Sequence, residues 1–336
     1  MNKHLLSKTE DIQRFVRINI SVLRQSFLPY EADARQKFII QYTGIELHDE
    51  LLDLYNDKVY PLWADSPAKE GILDKLLHHC QNALAMFTIY QAAPHMDLHL
   101  SEMGFVVTHS SNAAPASAQR VKAAVDAALS QGYDRLETML RYLEKYHSHI
   151  PSYKDSEARV LETGNIINSA TEFDQIVPIS KSRLRFIALK PEMRNIRTLV
   201  LEPLIGHELY NQLVEEKNSL SLSADNLKLL NMLQPALAYM AVANTMDESN
   251  AHIHLSPMLA GNNAKPLPPN TLISATDRFR DYGRNYLSGA LKLLQLHPDN
   301  YPAYKHSKQY VDNQKNKPFE NTDSPVFVFG QPSLEH

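Results

Sequence analysis

Gly44-Ile-Glu-Leu47 returns 162 residues later as Gly206-His-Glu-Leu209, and this repeat decides how the chain is organised. Three further blocks recur in the same order: Ser7 to Gln13 at Ser169 to Gln175, Gln81 to Ala85 at Gln234 to Ala238, and Pro151 to Lys154 at Pro302 to Lys305. The spacing between copies changes only between blocks, as insertions and deletions in loops would produce. The pattern indicates a tandem duplication of one structural unit.

Each copy predicts a mainly α-helical bundle. Apolar residues recur at three and four positions, the period of an amphipathic helix, on both sides of Gly44 and of Gly206. A third helix and a long last helix follow in each copy, and the last one contains a glycine, Gly132 or Gly283. Because glycine is costly inside a helix, its presence in both copies predicts a close helix crossing or a bend. Between these helices, residues 98–108 alternate and then turn, which predicts a small β-hairpin, degraded in the second copy.

The expected domains are residues 1–160 and residues 161–310, two similar helical bundles that each carry a hairpin insertion. Each opens with Ser-x-x-Glu, at Ser7 and at Ser169, the spacing of a helix capping box. Residues 311–336 form an extension that ends in the remnant of an expression tag. Within the extension, a run of strand composition predicts a docking strand at Val326, Phe327, Val328 and Phe329.

Composition narrows the class of protein. A net charge of −4 argues against nucleic-acid binding, because such binding needs a strong basic face. The single Cys80 excludes an intramolecular disulfide and favours a reducing compartment, and we expect a plain buried thiol. No apolar run approaches the ~20 residues needed to span a bilayer. These features predict a cytoplasmic protein without membrane contact.

The chain carries no phosphate loop, nucleotide-binding glycine turn, nucleophile elbow or zinc-helix motif. Histidine is the only candidate for chemistry, and His252 and His254 would share one face of a strand. A metal-dependent hydrolase built on these two histidines and nearby carboxylates is therefore the alternative function. Only His254 has a histidine at the equivalent position of the other copy, so we predict no bound metal and no cofactor.

Two arginines occupy equivalent positions, Arg35 and Arg197. Their ordinary role would be an internal salt bridge or a solvated charge. The alternative is contact with the acidic surface of a partner protein.

The segment Thr9 to Phe15, the segment Phe38 to Leu51 and the hairpin before the long helix resemble uncharacterised proteins of Bacteroidetes phages and prophages. Those proteins look like the helical adaptors that join a phage head to its tail, and they usually hold one such unit. The resemblance implies a virion component if the gene belongs to a phage, and it supplies no catalytic residues. We therefore expect a non-enzymatic structural or adaptor protein that binds protein partners or associates with itself. In such self-association, contacts between chains would imitate the contact between the two halves of one chain.

Overall fold

The computed structural model describes residues 3–16, 24–95, 98–101, 104–107, 117–251 and 269–315. In these ranges the first unit contains eight α-helices, with a π-helical turn at Gln36–Ile40 that joins the second to the third. The helices of the first unit are α1 Thr9–Gln13, α2 Arg24–Arg35, α3 Gln41–Thr43, α4 Ile45–Asp57, α5 Pro67–Ala92, α6 Ala118–Tyr146, α7 Pro151–Lys154 and α8 Glu157–Thr163.

The second unit repeats these elements in the same order, again with a π-helical turn, at Arg197–Leu201. Its helices are α9 Ala170–Asp174, α10 Arg183–Ile196, α11 Glu202–Ile205, α12 His207–Asn218, α13 Ala224–Ala251, α14 Pro269–Leu296, α15 Pro302–Lys305 and α16 Lys308–Lys315. The prediction of a mainly helical chain made of two similar units is confirmed. Each unit has its own cluster of buried apolar side chains.

A glycine breaks the helical path at the same place in each unit. Gly44 has φ +76° and ψ 166°, and Gly206 has φ +90° and ψ 142°. Side chains other than glycine rarely adopt these angles, so the helix must stop and restart in a new direction. The glycines also lie against equivalent serines, Ser156 and Ser307. The predicted break is therefore a duplicated joint of the fold.

The two longest helices of each unit cross closely at the second repeated glycine. A Cβ atom at Gly132 would lie 2.7 Å from a ring carbon of Phe87, and a Cβ atom at Gly283 would lie 2.5 Å from Cγ of Met240. These distances are too short for real carbon contacts. The glycines are thus required by the close crossing of α5 with α6 and of α13 with α14, one of the two causes predicted from the sequence.

The N-terminal segment of each unit is held by an equivalent glutamine. The side-chain NH2 of Gln81 donates to the carbonyl of Leu5 at 2.7 Å, and that of Gln234 donates to the carbonyl of Ile166 at 2.7 Å. Leu5 and Ile166 are 161 positions apart, one fewer than the spacing of the glycines. The first helices of the two units therefore align at a spacing of 161 residues, whereas the sequence match of Ser7 with Ser169 has a spacing of 162 residues.

That shift corrects the predicted helix cap of the first unit. Helix α9 has Ser169 as its cap, and the hydroxyl accepts from the backbone N–H of Glu172 at 3.1 Å. In the first unit the cap position is Lys8, whose backbone N–H donates to the carboxylate of Asp11 at 2.9 Å. Ser7 instead contacts the hydroxyl of Tyr55 at 2.9 Å. The capping box expected at Ser7 is therefore wrong, because the hydroxyl of Ser7 bonds to Tyr55, which is distant in the sequence.

Two short strands lie between α5 and α6. Leu98–Ser101 and Gly104–Val107 pair antiparallel, with Leu98 opposite Val107. The corresponding part of the second unit lies outside the described residues. A hairpin insertion in each unit is therefore not supported, and that part of the expected fold stays a prediction.

The boundary expected at residue 160 falls inside α8, which continues to Thr163 and packs against α3 of its own unit. The extension expected after residue 310 begins within α16, and the predicted docking strand at 326–329 lies outside the described residues.

Within the described part of the chain, none of the helices has the length and apolar character to cross a membrane.

Candidate site at the junction between the units

The two units meet at a buried arginine. Arg183, the first residue of α10, is 1 % exposed although its side chain is charged. Its guanidinium donates to the carboxylate of Glu137 on α6 at 3.2 Å and to the carboxylate of Glu162 on α8. A buried charge is tolerated only where partners of this kind surround it. Arg183 therefore ties the second unit to two helices of the first.

Glu162 also accepts from the ammonium of Lys190 at 2.7 Å, so one carboxylate bridges two cations of α10. Burial tends to raise the pKa of Glu162, but Arg183 and Lys190 more than offset this and hold that pKa below its usual value. Burial tends to lower the pKa of Arg183, and Glu162 with Glu137 raises it above its usual value. Both groups are thus charged at neutral pH.

Aromatic rings and a helix end complete the junction. The guanidinium carbon of Arg183 lies 5.6 Å from the ring centre of Tyr42 on α3 and 5.3 Å from that of Phe186. These contacts are within the range of cation–π attraction. Glu137 accepts, in addition, from the backbone N–H of Thr171 in the first turn of α9 at 3.2 Å. A carboxylate of one unit thereby caps a helix of the other.

None of the charged junction residues is repeated. The position equivalent to Arg183 in the first unit is Ser21, and the position equivalent to Lys190 is Leu28. The positions equivalent to Glu137 and Glu162 in the second unit are, in that order, Ser288 and Asn313. A further copy could not use the same ion pairs to join either end of the chain. The junction is a feature of this pair of units, so contacts between chains would need other residues to imitate it.

A cavity of about 340 Å³ lies at the junction. Glu137, Glu162 and Arg183 form part of its wall, together with Leu140 of α6 and Leu220 just after α12. Leu220 is 92 % exposed and has φ +55°, a backbone conformation that is unfavourable for a side chain of its kind. Clefts between two structural units are common places for ligands. The cavity is the main candidate site of the described residues.

Arg35 and Arg197 bond within their own units. The guanidinium of Arg35 donates to the carbonyl of Lys3 at 2.9 Å, and that of Arg197 donates to the carbonyl of Gly164 at 2.6 Å. Arg197 also bonds to the carboxylate of Glu202 at 2.6 Å. These equivalent bonds hold the start of each unit on its second helix. They give both arginines an internal role, and contact with an acidic partner stays a prediction.

Two groups of residues predicted from the sequence fall in parts of the chain that the structure does not describe. His252 and His254 lie outside the described residues, as do Val326, Phe327, Val328 and Phe329. In the described ranges, no three His, Cys, Asp or Glu side chains come together in a way that could hold a metal ion. Cys80 is fully buried, as predicted, and burial raises the pKa of its thiol to about 12.

Arg183, the central residue of the junction, was not predicted from the sequence. Repetition between the copies identified Arg35 and Arg197, whereas Arg183 has no arginine at the equivalent position. The helix itself begins earlier than the periodicity on either side of Gly206 indicates, at Arg183, and it carries Arg183, Arg185 and Lys190 beside the buried Phe186 and Leu189. A charged residue so close to the buried face of a helix requires a partner from elsewhere.

No curated protein sequence and no solved structure matches the chain. The sequence pattern of one family, described as a family of unknown function (DUF6712), matches residues 39–161 and matches again at residues 201–314. The two matches fall one in each structural unit and together span more than half of the chain. The chain therefore belongs to the DUF6712 family, of which it carries two consecutive copies.

Proposed function

We propose that the protein is a non-enzymatic structural or adaptor protein of phage or prophage origin, resembling head-tail connectors, that acts through protein–protein contacts. The observation that carries this proposal is the junction. Two copies of one helical unit are joined by a buried, unrepeated ion cluster centred on Arg183. Such a joint sets the geometry of the pair and leaves the outer faces of both units available to partners.

The outer faces differ in ways that suit different partners. In the first unit, exposed Ile45 and Leu161 line a groove beside Gly44. The equivalent positions in the second unit are His207 and Asp312. An adaptor that joins two unlike assemblies needs two unlike surfaces on one frame. The proposed docking strand at 326–329, and self-association through it, belong to the same proposal.

The experiment has two parts. Genes for capsid and tail proteins should flank this gene, and mass spectrometry should detect the protein in purified particles. Light scattering on the full-length chain and on a chain that ends at Lys315 should show a larger mass for the full-length chain at high concentration. Absence from particles, together with equal masses at every concentration, would contradict the proposal.

A further inference from the structure

Helix α14 carries a second apolar stripe besides the one that it buries in its own unit. Its core side includes Leu287, Leu291 and Leu294. A separate set of residues recurs at alternating steps of three and four, namely Phe279, Tyr282, Tyr286, Gly289, Leu293 and Leu296. This spacing places the set along one side of the helix, and we call it the α14 stripe.

The α14 stripe is only partly covered by its own unit. Tyr282 is 44 % exposed, Tyr286 is 42 % exposed and Leu296 is 64 % exposed. Tyr239 of α13 lies against the stripe, with its ring centre 5.4 Å from that of Tyr282 and 6.1 Å from that of Tyr286. Aromatic side chains that are grouped and half exposed in this way are typical of binding surfaces.

The fold of the unit does not require this stripe to be apolar. The equivalent positions of α6, 151 residues earlier, hold Ala128, Gln131, Arg135, Thr138, Tyr142 and Lys145. Arg135, the counterpart of Tyr286, donates to the carbonyl of Asn82 at 3.1 Å and to that of Phe15 at 3.3 Å. The same helix therefore folds in the first unit with a mostly polar stripe. The apolar character of the α14 stripe is specific to the second unit.

We infer that residues 320–329 of this chain bind along the α14 stripe. This inference rests on the docking segment of the proposed function and assigns the surface that receives it. Residues 320–329 lie outside the described residues. Their sequence places two acids, Glu320 and Asp323, ahead of the apolar run at 326–329.

The charges beside the stripe suit such a segment. The positions that flank the stripe on its solvent side are Arg278, Asn285 and Lys292, all exposed, and they include two cations and no acid. By the helix period, Asp277 and Asp281 lie further from the stripe. An apolar surface with a basic border favours an occupant that is apolar and acidic.

The spacing of charged and apolar groups also agrees. Along an α-helix, Tyr286 lies about 9 Å from Lys292, and Phe279 lies about 20 Å from it. In an extended segment, residues 326–329 begin about 10 Å after Asp323 and end about 20 Å after it. With Asp323 beside Lys292, the apolar run would therefore cover the aromatic half of the stripe, and Val328 would lie near Tyr282.

The chain can reach this position. Helices α15 and α16 follow the end of α14 directly, and α16 ends at Lys315. The eight residues from Lys315 to Asp323 span up to about 28 Å when extended. The segment would then run back along α14, from its C-terminal end towards Phe279.

The first test joins the segment to the stripe by a disulfide in the full-length protein. Under mild oxidation, Y282C with V328C should form the bond at least about tenfold faster than Q131C with V328C. Gln131 is the equivalent position in the first unit, which makes the second pair a matched control. Cys80 stays in every variant, because it is buried. A non-reducing gel separates a bond within one chain from a bond between two chains, and either product supports the inference.

The second test needs no new cysteine. Y282Q with Y286R gives the stripe the residues found at the equivalent positions of α6, so the helix should still form. Chymotrypsin should then cut after Phe327 and Phe329 at least about fivefold faster, since the segment is no longer held. The control, A127R with D281Q, introduces the same two residues at exposed positions outside the stripe and should not change the rate. Circular dichroism verifies folding, and mass spectrometry identifies the cuts.

Equal rates of bond formation in the two cysteine pairs, or equal cleavage in the stripe variant and its control, would overturn the inference. Both tests use the isolated protein. Absence from purified particles would therefore remove the adaptor role and leave the binding of residues 320–329 to the α14 stripe standing. A bond formed only within one chain would likewise remove self-association through the segment and keep its binding surface.

Discussion

The interior of each unit is held by contacts that occur in both units, whereas the junction between the units is held by contacts that occur only once. Inside a unit, the decisive contacts occur twice: the breaks at Gly44 and Gly206, and the glutamine bonds of Gln81 and Gln234. At the junction, the decisive contacts occur once and are ionic. The duplicated contacts define the fold that the two units share. The contacts that occur once join the two units to each other, and mutations in the two regions should therefore behave differently.

The largest effect is expected at the junction. Replacing Arg183 by Met leaves Glu137 and Glu162 buried without their common partner, which should lower the free energy of unfolding by about 3–5 kcal/mol. Urea denaturation followed by circular dichroism measures the change. Since the substitution weakens the contact between the units, we also expect the unfolding curve to divide into two transitions.

Arg194 provides the matched control. It lies near the other end of the same helix, is exposed, and has no ion pair among those described. R194M should change the free energy of unfolding by no more than about 0.5 kcal/mol. A cost for R183M no larger than that of R194M would show that the ion cluster does not hold the units together.

An intermediate effect is expected at the duplicated break. Alanine at Gly44 or at Gly206 has room for its Cβ, whose nearest neighbours would be 3.7 Å and 3.5 Å away, but has to adopt a conformation that favours glycine. Each substitution should lower the free energy of unfolding by about 1–3 kcal/mol, and the two costs should be similar. Urea denaturation of the single variants and of the double variant provides the measurement.

Gly71 is the control for this pair, because it lies in α5 with an ordinary φ, and a methyl group added there would have nothing within 4 Å. G71A should raise the free energy of unfolding, by up to about 1 kcal/mol, through better helix propensity. If G44A and G206A also stabilised the protein, the joint would not depend on glycine geometry.

The smallest effect is expected where both units have a residue other than glycine in a left-handed backbone conformation. Lys58 and Leu220 occupy equivalent positions after α4 and α12 and have φ +57° and +55°. Glycine is the preferred residue at such helix ends, so K58G and L220G should each raise the free energy of unfolding, by about 0.5–1 kcal/mol. Thermal denaturation suffices for the measurement. A loss of stability in both variants would mean that side-chain contacts outweigh the backbone strain.

The sequence predicts the duplicated features well, because they depend on local periodicity and appear twice. The long helices, the break at Gly44 and the crossing at Gly132 were all visible in this way. The cap at Ser7 was assigned wrongly, since its hydroxyl contacts Tyr55, a residue 48 positions away. The junction could not be predicted, because the partners of Arg183 come from helices whose relative placement no local pattern encodes.

The π-helical turns indicate a feature that the single unit had before it was duplicated. A π turn holds one residue more than the corresponding α-helical turn, so it is a discrete change that neighbouring sequence does not require. Both units carry it directly ahead of the glycine break. We infer that the ancestral single unit already had this turn when it was copied. The charges around Arg183, to which each unit contributes two, have no counterparts at the equivalent positions, so there the two copies have diverged into a left part and a right part.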